Sequence, residues 1–247
     1  MEINPKKSLG QNFLINAGVL EKIVDAAEIT KEDTVLEVGP GTGNLTKLIS
    51  ERAGSVVAIE KDYRLIEDLK LKFPAIKLIE DDILKFKPEE HGLKDNAYKI
   101  VANIPYYLTS NLLRIIFEKW PRPKLIVLTI QKEVAQRIIA KSPDMNLLAL
   151  SIQLYSEPKI IGYISKGSFR PIPKVDSAII KLTPKEGTNT EDNEKVIEVA
   201  KKAFAGKRKQ LQNTLSEINL ESLGINPKSR PEELSISDWL KMAEDSF

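Results

Sequence analysis

Short apolar runs rich in β-branched residues alternate along the chain with segments whose apolar residues recur every three or four positions. The runs lie at 34–38, 55–59, 76–79, 98–102 and 124–130, with two later ones at 159–165 and 177–182. Because these runs lack strict polar alternation, we expect strands buried on both faces, with helices covering both faces of the sheet. The pattern predicts an α/β fold with an open, mostly parallel sheet, preceded by a helix at 17–28.

The composition changes after the last predicted strand. Residues 184–193 are polar and interrupted by proline and glycine, which is typical of a linker. Beyond this linker, apolar residues have helical spacing at 196–204 and again at 211–218. The sequence therefore predicts two domains, a sheet domain at 1–183 and a small helical domain at 184–247.

Composition and charge narrow the function only by exclusion. The 247 residues include no cysteine, which excludes disulfides, thiolate metal ligands and cysteine nucleophiles, and we expect no metal site. The net charge is +2, so charged partners must be sought in local clusters. His91 is the only histidine and is expected in a solvated loop, which argues against a Ser-His-Asp triad. Without a signal peptide or a long apolar run, the chain is expected to be cytoplasmic.

A glycine-rich loop, G-P-G-T-G, follows the strand predicted at 34–38. Its glycines Gly39 and Gly41 allow the backbone to turn tightly and to approach a ligand closely. The spacing differs from the G-x-G-x-x-G of nicotinamide dinucleotide proteins, and the preceding Glu37 would repel a pyrophosphate. Glu37 suits instead a ligand with a positive ammonium or sulfonium group.

Two further acids end the next two predicted strands. Glu60 could accept both hydroxyls of a ribose, and Asp82 could accept from an adenine amino group while the Ile83 backbone contacts the ring. A single acid at a strand end is more often a helix cap or a solvated group. Three acids at successive strand ends beside a glycine loop instead predict S-adenosylmethionine, which combines adenine, ribose, ammonium and sulfonium without phosphate.

The fourth predicted strand ends in the sequence N-I-P-Y, formed by Asn103, Ile104, Pro105 and Tyr106. The exocyclic amine of adenine is a poor nucleophile because its lone pair is delocalised into the ring. The side-chain oxygen of Asn103 and the Ile104 carbonyl, held by the rigid Pro105, could accept its two N–H bonds and free that lone pair. Tyr106 could stack on the base. An ordinary turn is the alternative, but the predicted pocket beside this strand end favours catalysis.

Six segments in this order are similar to those of one family, the KsgA-type ribosomal RNA adenine N6-dimethyltransferases. They are K-K-S-L-G-Q-N-F-L at 6–14, E-V-G-P-G-T-G-N-L-T at 37–46, N-I-P-Y at 103–106, F-R-P-I-P-K-V-D-S-A at 169–178, A-F-A-G-K-R-K-Q-L-Q-N-T-L at 203–215 and R-P-E-E-L-S at 230–235. The resemblance runs nearly end to end. Two departures are mild, since Ile104 replaces the more usual leucine and the C-terminal domain is compact.

The resemblance implies a Rossmann-like class I methyltransferase domain, a monomer, and S-adenosylmethionine as the cofactor. The implied cofactor contacts are Asn12, Leu14, Gly39, Glu60, Asp82 and Asn103. The implied substrate is a pair of adjacent adenosines in a hairpin loop near the 3′ end of small-subunit rRNA, each receiving two methyl groups late in subunit assembly. Phe169 could cover the second face of the base, although a core phenylalanine is an equal alternative.

A basic segment in the predicted helical domain supports an RNA partner. Residues 199–215 contain no acid and carry the cations Lys201, Lys202, Lys207, Arg208 and Lys209. Such a cluster is typical of phosphate contacts, although a solvated helix face is the alternative. A target in a hairpin loop also costs less to extrude than a base in a duplex, because its bases are already partly unstacked.

Three other functions remain open from the sequence. The nearest is a macrolide-resistance methyltransferase acting on large-subunit rRNA, although V-D-S-A at 175–178 and the segment 203–209 favour the small subunit. A non-catalytic assembly or transcription factor with this fold is the second, and the intact N-I-P-Y argues against it. A nicotinamide dehydrogenase is the third, and the glycine spacing argues against it.

Overall fold

The computed structural model describes residues 5–187, 190–206 and 208–245. The strands are β1 (Phe13–Leu14), β2 (Thr34–Val38), β3 (Ser55–Glu60), β4 (Lys77–Glu80), β5 (Tyr98–Asn103), β6 (Leu125–Gln131), β7 (Ser156–Ile164), β8 (Phe169–Arg170) and β9 (Ser177–Pro184). The α-helices are α1 (Ala17–Ala26), α2 (Asn44–Arg52), α3 (Tyr63–Lys72), α4 (Thr109–Glu118), α5 (Lys132–Ile138), α6 (Leu147–Gln153), α7 (Thr190–Ala205) and α8 (Ile236–Asp245).

Seven strands form one sheet in the order β4-β3-β2-β5-β6-β9-β7, and β1 pairs separately with β8. The strands from β2 to β6 are parallel to their neighbours, and β9 runs antiparallel to β6. The central strands are buried at almost every position, as expected for a sheet covered on both faces. The predicted α/β fold with a mostly parallel sheet is confirmed.

The helix predicted at 17–28 forms over Ala17–Ala26 and shows why the sequence folds locally as it does. Asn16 caps its first turn by accepting a hydrogen bond from the Val19 N–H at 3.1 Å. Ile23 and Val24 are fully buried in a core that this helix shares with α2 and one face of the sheet. The helix ends two residues before the predicted boundary, and Glu28 then has a positive φ of 51°.

The chain forms two compact units that differ from the predicted domains in one respect. The first is Met1–Ala135 with Lys159–Pro184, and the second is Gln136–Pro158 with Lys185–Phe247. The break after residue 184 lies close to the predicted boundary. Residues 136–158, expected in the sheet domain, belong to the second unit because α6 packs against α7 there.

The second unit is built around α7 and α8, whose rings Phe204 and Trp239 stack with centroids 5.6 Å apart. The helical spacing at 211–218 produces only a short 3-10 turn at Leu211–Asn213, so the prediction of a helix there was wrong. Among the described residues of this stretch, only the Leu215 N–H donates four residues back, to the Leu211 carbonyl at 2.8 Å, and the other local bonds close shorter turns.

No helix in the described part of the chain is long and apolar enough to cross a bilayer. His91 ends a 3-10 turn at Pro88–His91, where its ring stacks on Phe86 at 4.8 Å. It therefore lies partly buried against a neighbouring ring, and not in the freely solvated loop that was expected.

Candidate active site

The strand order of the sheet reverses between β2 and β5, which opens a crevice at the carboxyl ends of these strands. In open α/β sheets this is where ligands bind. A cavity lies there, and eleven of the thirteen residues expected at the site line it. They are Asn12, Gly39, Gly41, Glu60, Asp82, Ile83, Asn103, Ile104, Pro105, Tyr106 and Phe169. The structure thus brings together residues from the glycine loop, three strand ends and N-I-P-Y.

The glycine loop leaves room for a ligand at one position and is closely packed at another. A side chain at Gly39 would meet nothing within 4 Å, and its φ of +67° favours glycine. At Gly41 a Cβ would lie 3.0 Å from the Phe13 ring, so the loop packs there against the N-terminal segment. The open face of the loop is therefore the side at Gly39.

Glu60 is held rigidly by the backbone on both sides of its carboxylate. One oxygen accepts from the Gly41 N–H at 3.0 Å and the other from the Asp62 N–H at 2.8 Å. Burial raises the pKa of Glu60, since the side chain is almost inaccessible to solvent. Each carboxylate oxygen keeps lone-pair capacity, so the group can still accept the hydroxyls of a ribose.

Asp82 lies at the cavity edge in an ion pair with Lys61, whose Nζ is 2.8 Å from one carboxylate oxygen. The other oxygen accepts from the Leu84 N–H at 3.1 Å. The hydrogen bond from Lys61 lowers the pKa of Asp82, which therefore stays ionised at neutral pH. Lys61 was not foreseen as a site residue.

The amide of Asn103 is oriented by a backbone carbonyl from the N-terminal segment. Its Nδ2 donates to the carbonyl oxygen of Asn12 at 3.0 Å. A carbonyl can only accept, so this bond determines which end of the amide faces Asn12. Within the described residues, no donor contacts the Asn103 Oδ1 or the carbonyl oxygen of Ile104. Two neighbouring acceptors on the cavity wall are thus available to a ligand.

The aromatic residues beside N-I-P-Y differ in how they are held. The Tyr106 hydroxyl lies 2.7 Å from the Ser177 Oγ, which orients a half-buried ring on the cavity wall. Tyr107 also lines the cavity and is 57% exposed. Phe169 lines the cavity too, yet it is only 1% exposed and belongs to the main core cluster. Its stacking role stays a prediction.

Two residues expected at the cofactor are absent from the cavity lining. Leu14 is buried in the core cluster, away from the cavity, and its carbonyl accepts from the Asn44 side chain at 2.9 Å. Phe13, the residue before it, supplies the wall at that point. Glu37 is fully buried in β2 and is also absent from the cavity lining. The expected contact of Glu37 with a charged ligand therefore stays a prediction.

The prediction missed other lining residues, of which Gln11, Phe13 and Tyr107 are the most informative. Gln11 and Phe13 flank the predicted Asn12, and Tyr107 follows the predicted Tyr106. These residues belong to the segments 6–14 and 103–107, but only the fold shows that consecutive residues of each segment line the same cavity.

The basic segment lies in the second unit at the end of α7 and in the following loop. Lys201, Arg208 and Lys209 are exposed, and Lys207 lies outside the described residues. Lys202 has Glu198 at 3.9 Å and Glu217 at 4.0 Å, so acids from outside the segment partly neutralise it. The RNA contact remains a prediction that rests mainly on three cations.

The charges around the cavity fit a nucleoside with a cationic tail. Among the described lining residues the one cation is Lys61, which is paired, whereas Glu60, Asp81 and Asp82 carry carboxyl groups. A pyrophosphate would find no free positive group here, while ribose hydroxyls and an adenine amine would find acceptors. Together with the open space at Gly39, the residues fit S-adenosylmethionine.

The sheet and this cavity define a class I methyltransferase. A family model described as Ribosomal RNA adenine dimethylase matches residues 3–246. The chain belongs to this family of ribosomal RNA adenine dimethylases.

Relatives named Ribosomal RNA small subunit methyltransferase A cover nearly the whole chain. The protein from Dehalococcoides mccartyi (strain CBDB1) is 43% identical over 255 residues, covering 97% of this chain and 88% of the relative. The protein from Clostridium botulinum (strain Okra / Type B1) is 40% identical over 261 residues, covering 98% and 94%.

Two solved structures share the fold. A dimethyladenosine transferase from Plasmodium falciparum has a TM-score of 0.82 at 30% identity, covering 93% of this chain and 95% of that one. The 23S rRNA methyltransferase ErmE has a TM-score of 0.78 at 24% identity, covering 95% and 99%. The second likeness concerns the fold alone.

Proposed function

We propose that this protein transfers methyl groups from S-adenosylmethionine to the N6 amines of two adjacent adenosines in a hairpin loop near the 3′ end of small-subunit rRNA. Each adenosine receives two methyl groups, and the reaction accompanies assembly of the small subunit. The family and the names of relatives that cover nearly the whole chain support this substrate.

The observation that carries the proposal is the pair of free acceptors at the end of β5. The Asn103 Oδ1 and the Ile104 carbonyl oxygen lie on the wall of a cavity suited to a nucleoside cofactor. An exocyclic amine has two N–H bonds, and two acceptors can bind both at once. Aligned acceptors of this kind are worth roughly 10²–10³ in rate, by analogy with oxyanion holes.

Each residue of this wall has a separate task. When bound, S-adenosylmethionine supplies a methyl group on a positively charged sulfur. Asn103 and Ile104 hold the amine and draw its N–H bonds out of the plane of the ring, so that its lone pair can attack. Asn103 has no useful basicity, so it orients and polarises the amine without removing its proton first. Tyr106 offers a ring face on which the base stacks, and stacking is worth about 1–3 kcal/mol per base.

The RNA would be bound mainly by the basic segment. The exposed cations Lys201, Arg208 and Lys209 contact phosphates, which would make binding strongly salt dependent. A hairpin loop suits the cavity because an unpaired base costs less to swing out. The monomeric state and cytoplasmic location stay predictions.

The test is methylation of small subunits purified from cells that lack this protein, with protein-free 23S rRNA as the competing substrate. We expect N6,N6-dimethyladenosine, measured by mass spectrometry of digested RNA, at two adjacent positions in the small-subunit rRNA. Incorporation only into the 23S rRNA would instead indicate a large-subunit enzyme. No incorporation into either RNA would favour a non-catalytic assembly factor.

The matched variants are Asn103→Ala and Asn111→Ala. Asn111 is an exposed asparagine on α4 and serves as the control for the same substitution outside the cavity. We expect the first variant to lose about 100-fold or more in methyl transfer and the second to keep the wild-type rate. Equal activity of Asn103→Ala and wild type would refute the site assignment.

A further inference from the structure

The N-terminal strap, defined here as residues 5–14, forms one wall of the cavity. Five consecutive residues of the strap, Leu9 to Phe13, line the cavity. The carbonyl of one of them, Asn12, is the acceptor that orients the Asn103 amide at 3.0 Å. The orientation of the proposed catalytic amide therefore depends on the position of a segment that lies 91 residues earlier in the chain.

The strap is held in place at both ends. At its end, β1 pairs with β8, and the carbonyl of Leu14 accepts from the Asn44 side chain. Its first residues are held by Gln11, which makes two hydrogen bonds. Its Nε2 donates to Asp62 at 2.9 Å, and its Oε1 accepts from the backbone N–H of Lys6 at 2.7 Å.

Asp62 is a well-fixed anchor for Gln11. Its carboxylate is fully buried, and it accepts from Arg64 Nε at 2.9 Å and Nη2 at 2.6 Å. The hydrogen bonds from Arg64 hold the pKa of Asp62 well below its usual range, so it remains an acceptor at neutral pH. Its own backbone N–H donates to Glu60, which ties this anchor to the cavity floor.

The anchor matters because the side-chain amide of Asn103 can rotate. The terminal torsion of asparagine is broad and roughly two-fold, so packing alone distinguishes poorly between the amide oxygen and nitrogen. A flipped amide would direct its NH₂ group at the N–H bonds of the substrate amine, where two donors repel. The Asn12 carbonyl excludes this flip only while the strap holds Asn12 in place.

We propose that Gln11 and Asp62 are positioning residues that hold the strap so that the Asn12 carbonyl keeps the Asn103 amide in its productive orientation. This inference rests on the proposed methyl transfer for its kinetic consequence. Asp62 does not line the cavity, and its side chain reaches the strap through the hydrogen bond from Gln11. Loss of the Gln11–Asp62 bond frees the strap next to Asn12 and allows the amide to flip.

The test uses the full chain with Gln11→Met, which keeps the length of the side chain and removes both hydrogen bonds. We expect kcat to fall by roughly 10–100-fold, the scale of a mispositioned catalytic group. In the protein without cofactor, we expect the Asn103 side-chain amide protons to lose their slow exchange with water. These signals are measured by NMR and are assigned by their absence in Asn103→Asp.

The matched control is Lys6→Met. The Lys6 ammonium lies 3.8 Å from the same Asp62 carboxylate and 5.1 Å from the Tyr63 ring centre, while only its backbone bonds Gln11. This variant removes a neighbouring charged contact and is expected to keep both kcat and the slow exchange. If Gln11→Met fails to fold, Asp62→Asn is tested in its place with the same two measurements.

The outcomes separate this inference from the proposed function. Unchanged amide exchange in Gln11→Met would overturn the positioning role, whatever the rate. A faster exchange with an unchanged kcat would also overturn it, since the orientation would then be irrelevant to the reaction. If wild type methylates no RNA at all, the proposed function fails, while the exchange measurement still tests whether the strap orients the amide.

Discussion

Glu37 allows a quantitative test of how the sheet buries an acid beneath the cavity. The side chain is 1% exposed, and its Oε2 has no hydrogen-bond partner within the described residues. Burial raises the pKa of Glu37 from 4.5 to about 8, and the nearby charge of Glu60 acts in the same direction. The perturbation is Glu37→Gln, which keeps the shape of the side chain and cannot ionise.

The sign follows from the protons that each state binds. Between 4.5 and about 8 the folded protein keeps the Glu37 proton and the unfolded chain has lost it, so stability falls as pH rises. The stability that comes from keeping Glu37 protonated is fully present below pH 4.5 and is lost as the pH rises through about 8. The two values differ by about 3.5, and one pKa unit is worth about 1.4 kcal/mol, which gives at most about 5 kcal/mol. Relaxation and water entry reduce the expected effect to about 2–3 kcal/mol.

The assay is urea unfolding of wild type and Glu37→Gln, both carrying Trp239→Phe so that Trp120 reports on the first unit alone. We expect equal stabilities within about 1 kcal/mol near pH 5, and a variant that is about 2–3 kcal/mol more stable near pH 8.5. A stability difference that is the same at both pH values would mean that Glu37 does not titrate in this range. The reasoning from burial would then be wrong.

Three further predictions test hydrogen bonds around the site and in the core. Glu60→Gln replaces one of the two carboxylate oxygens with an NH₂ group, so only one of the two backbone N–H groups that Glu60 binds keeps its acceptor. Cofactor affinity measured by calorimetry should therefore fall about 10–100-fold. Ser177→Ala removes the partner of the Tyr106 hydroxyl, so kcat/KM for RNA should fall about 2–10-fold, and Tyr106→Phe should behave alike. Lys99→Met removes the charged partner of the buried Asp33 carboxylate, at 2.9 Å, and leaves only its hydrogen bonds from Thr30, so the free energy of unfolding in urea should fall by about 3 kcal/mol.

Each of these expectations can fail in a distinct way. An unchanged dissociation constant for Glu60→Gln would mean that the carboxylate does not shape the cofactor site. A loss in Ser177→Ala that Tyr106→Phe does not share would place the effect outside the hydroxyl pair. A loss below about 1 kcal/mol for Lys99→Met would mean that water already screens the pair.

The fold could be predicted well because burial on both faces leaves a simple signature in a strand. Runs such as 98–102 lack alternation, and the helices between them have regular apolar spacing. The segment at 211–218 shows the limit of this reasoning. Its leucines are buried as expected, but a 3-10 turn and loops bury them instead of an α-helix, and apolar spacing does not distinguish the two.

The candidate site could be predicted where each residue belongs to a strand end or a tight turn. Glu60, Asp82 and Asn103 follow strands whose carboxyl ends meet at one edge, so their convergence follows from the parallel sheet alone. Glu37 shows the limit, because the strand-end pattern does not tell that its side chain is almost fully buried and absent from the cavity lining. Phe13 lines the cavity and Leu14 does not, because neighbouring residues in a short strand face opposite sides, and the cofactor contact of Leu14 stays a prediction.

The sequence alone determined the alternation of strands and helices, the glycine loop, the acids at the strand ends and the N-I-P-Y corner. Each of these is a local pattern, written in residues that are close along the chain. Only the tertiary structure decided that the strap crosses the cavity, that Gln11 bonds Asp62 and that Asn12 orients Asn103 from 91 residues away. The spacing of apolar residues indicates which side of a helix or strand is buried. A hydrogen bond between distant segments depends instead on how the packed elements bring those segments together.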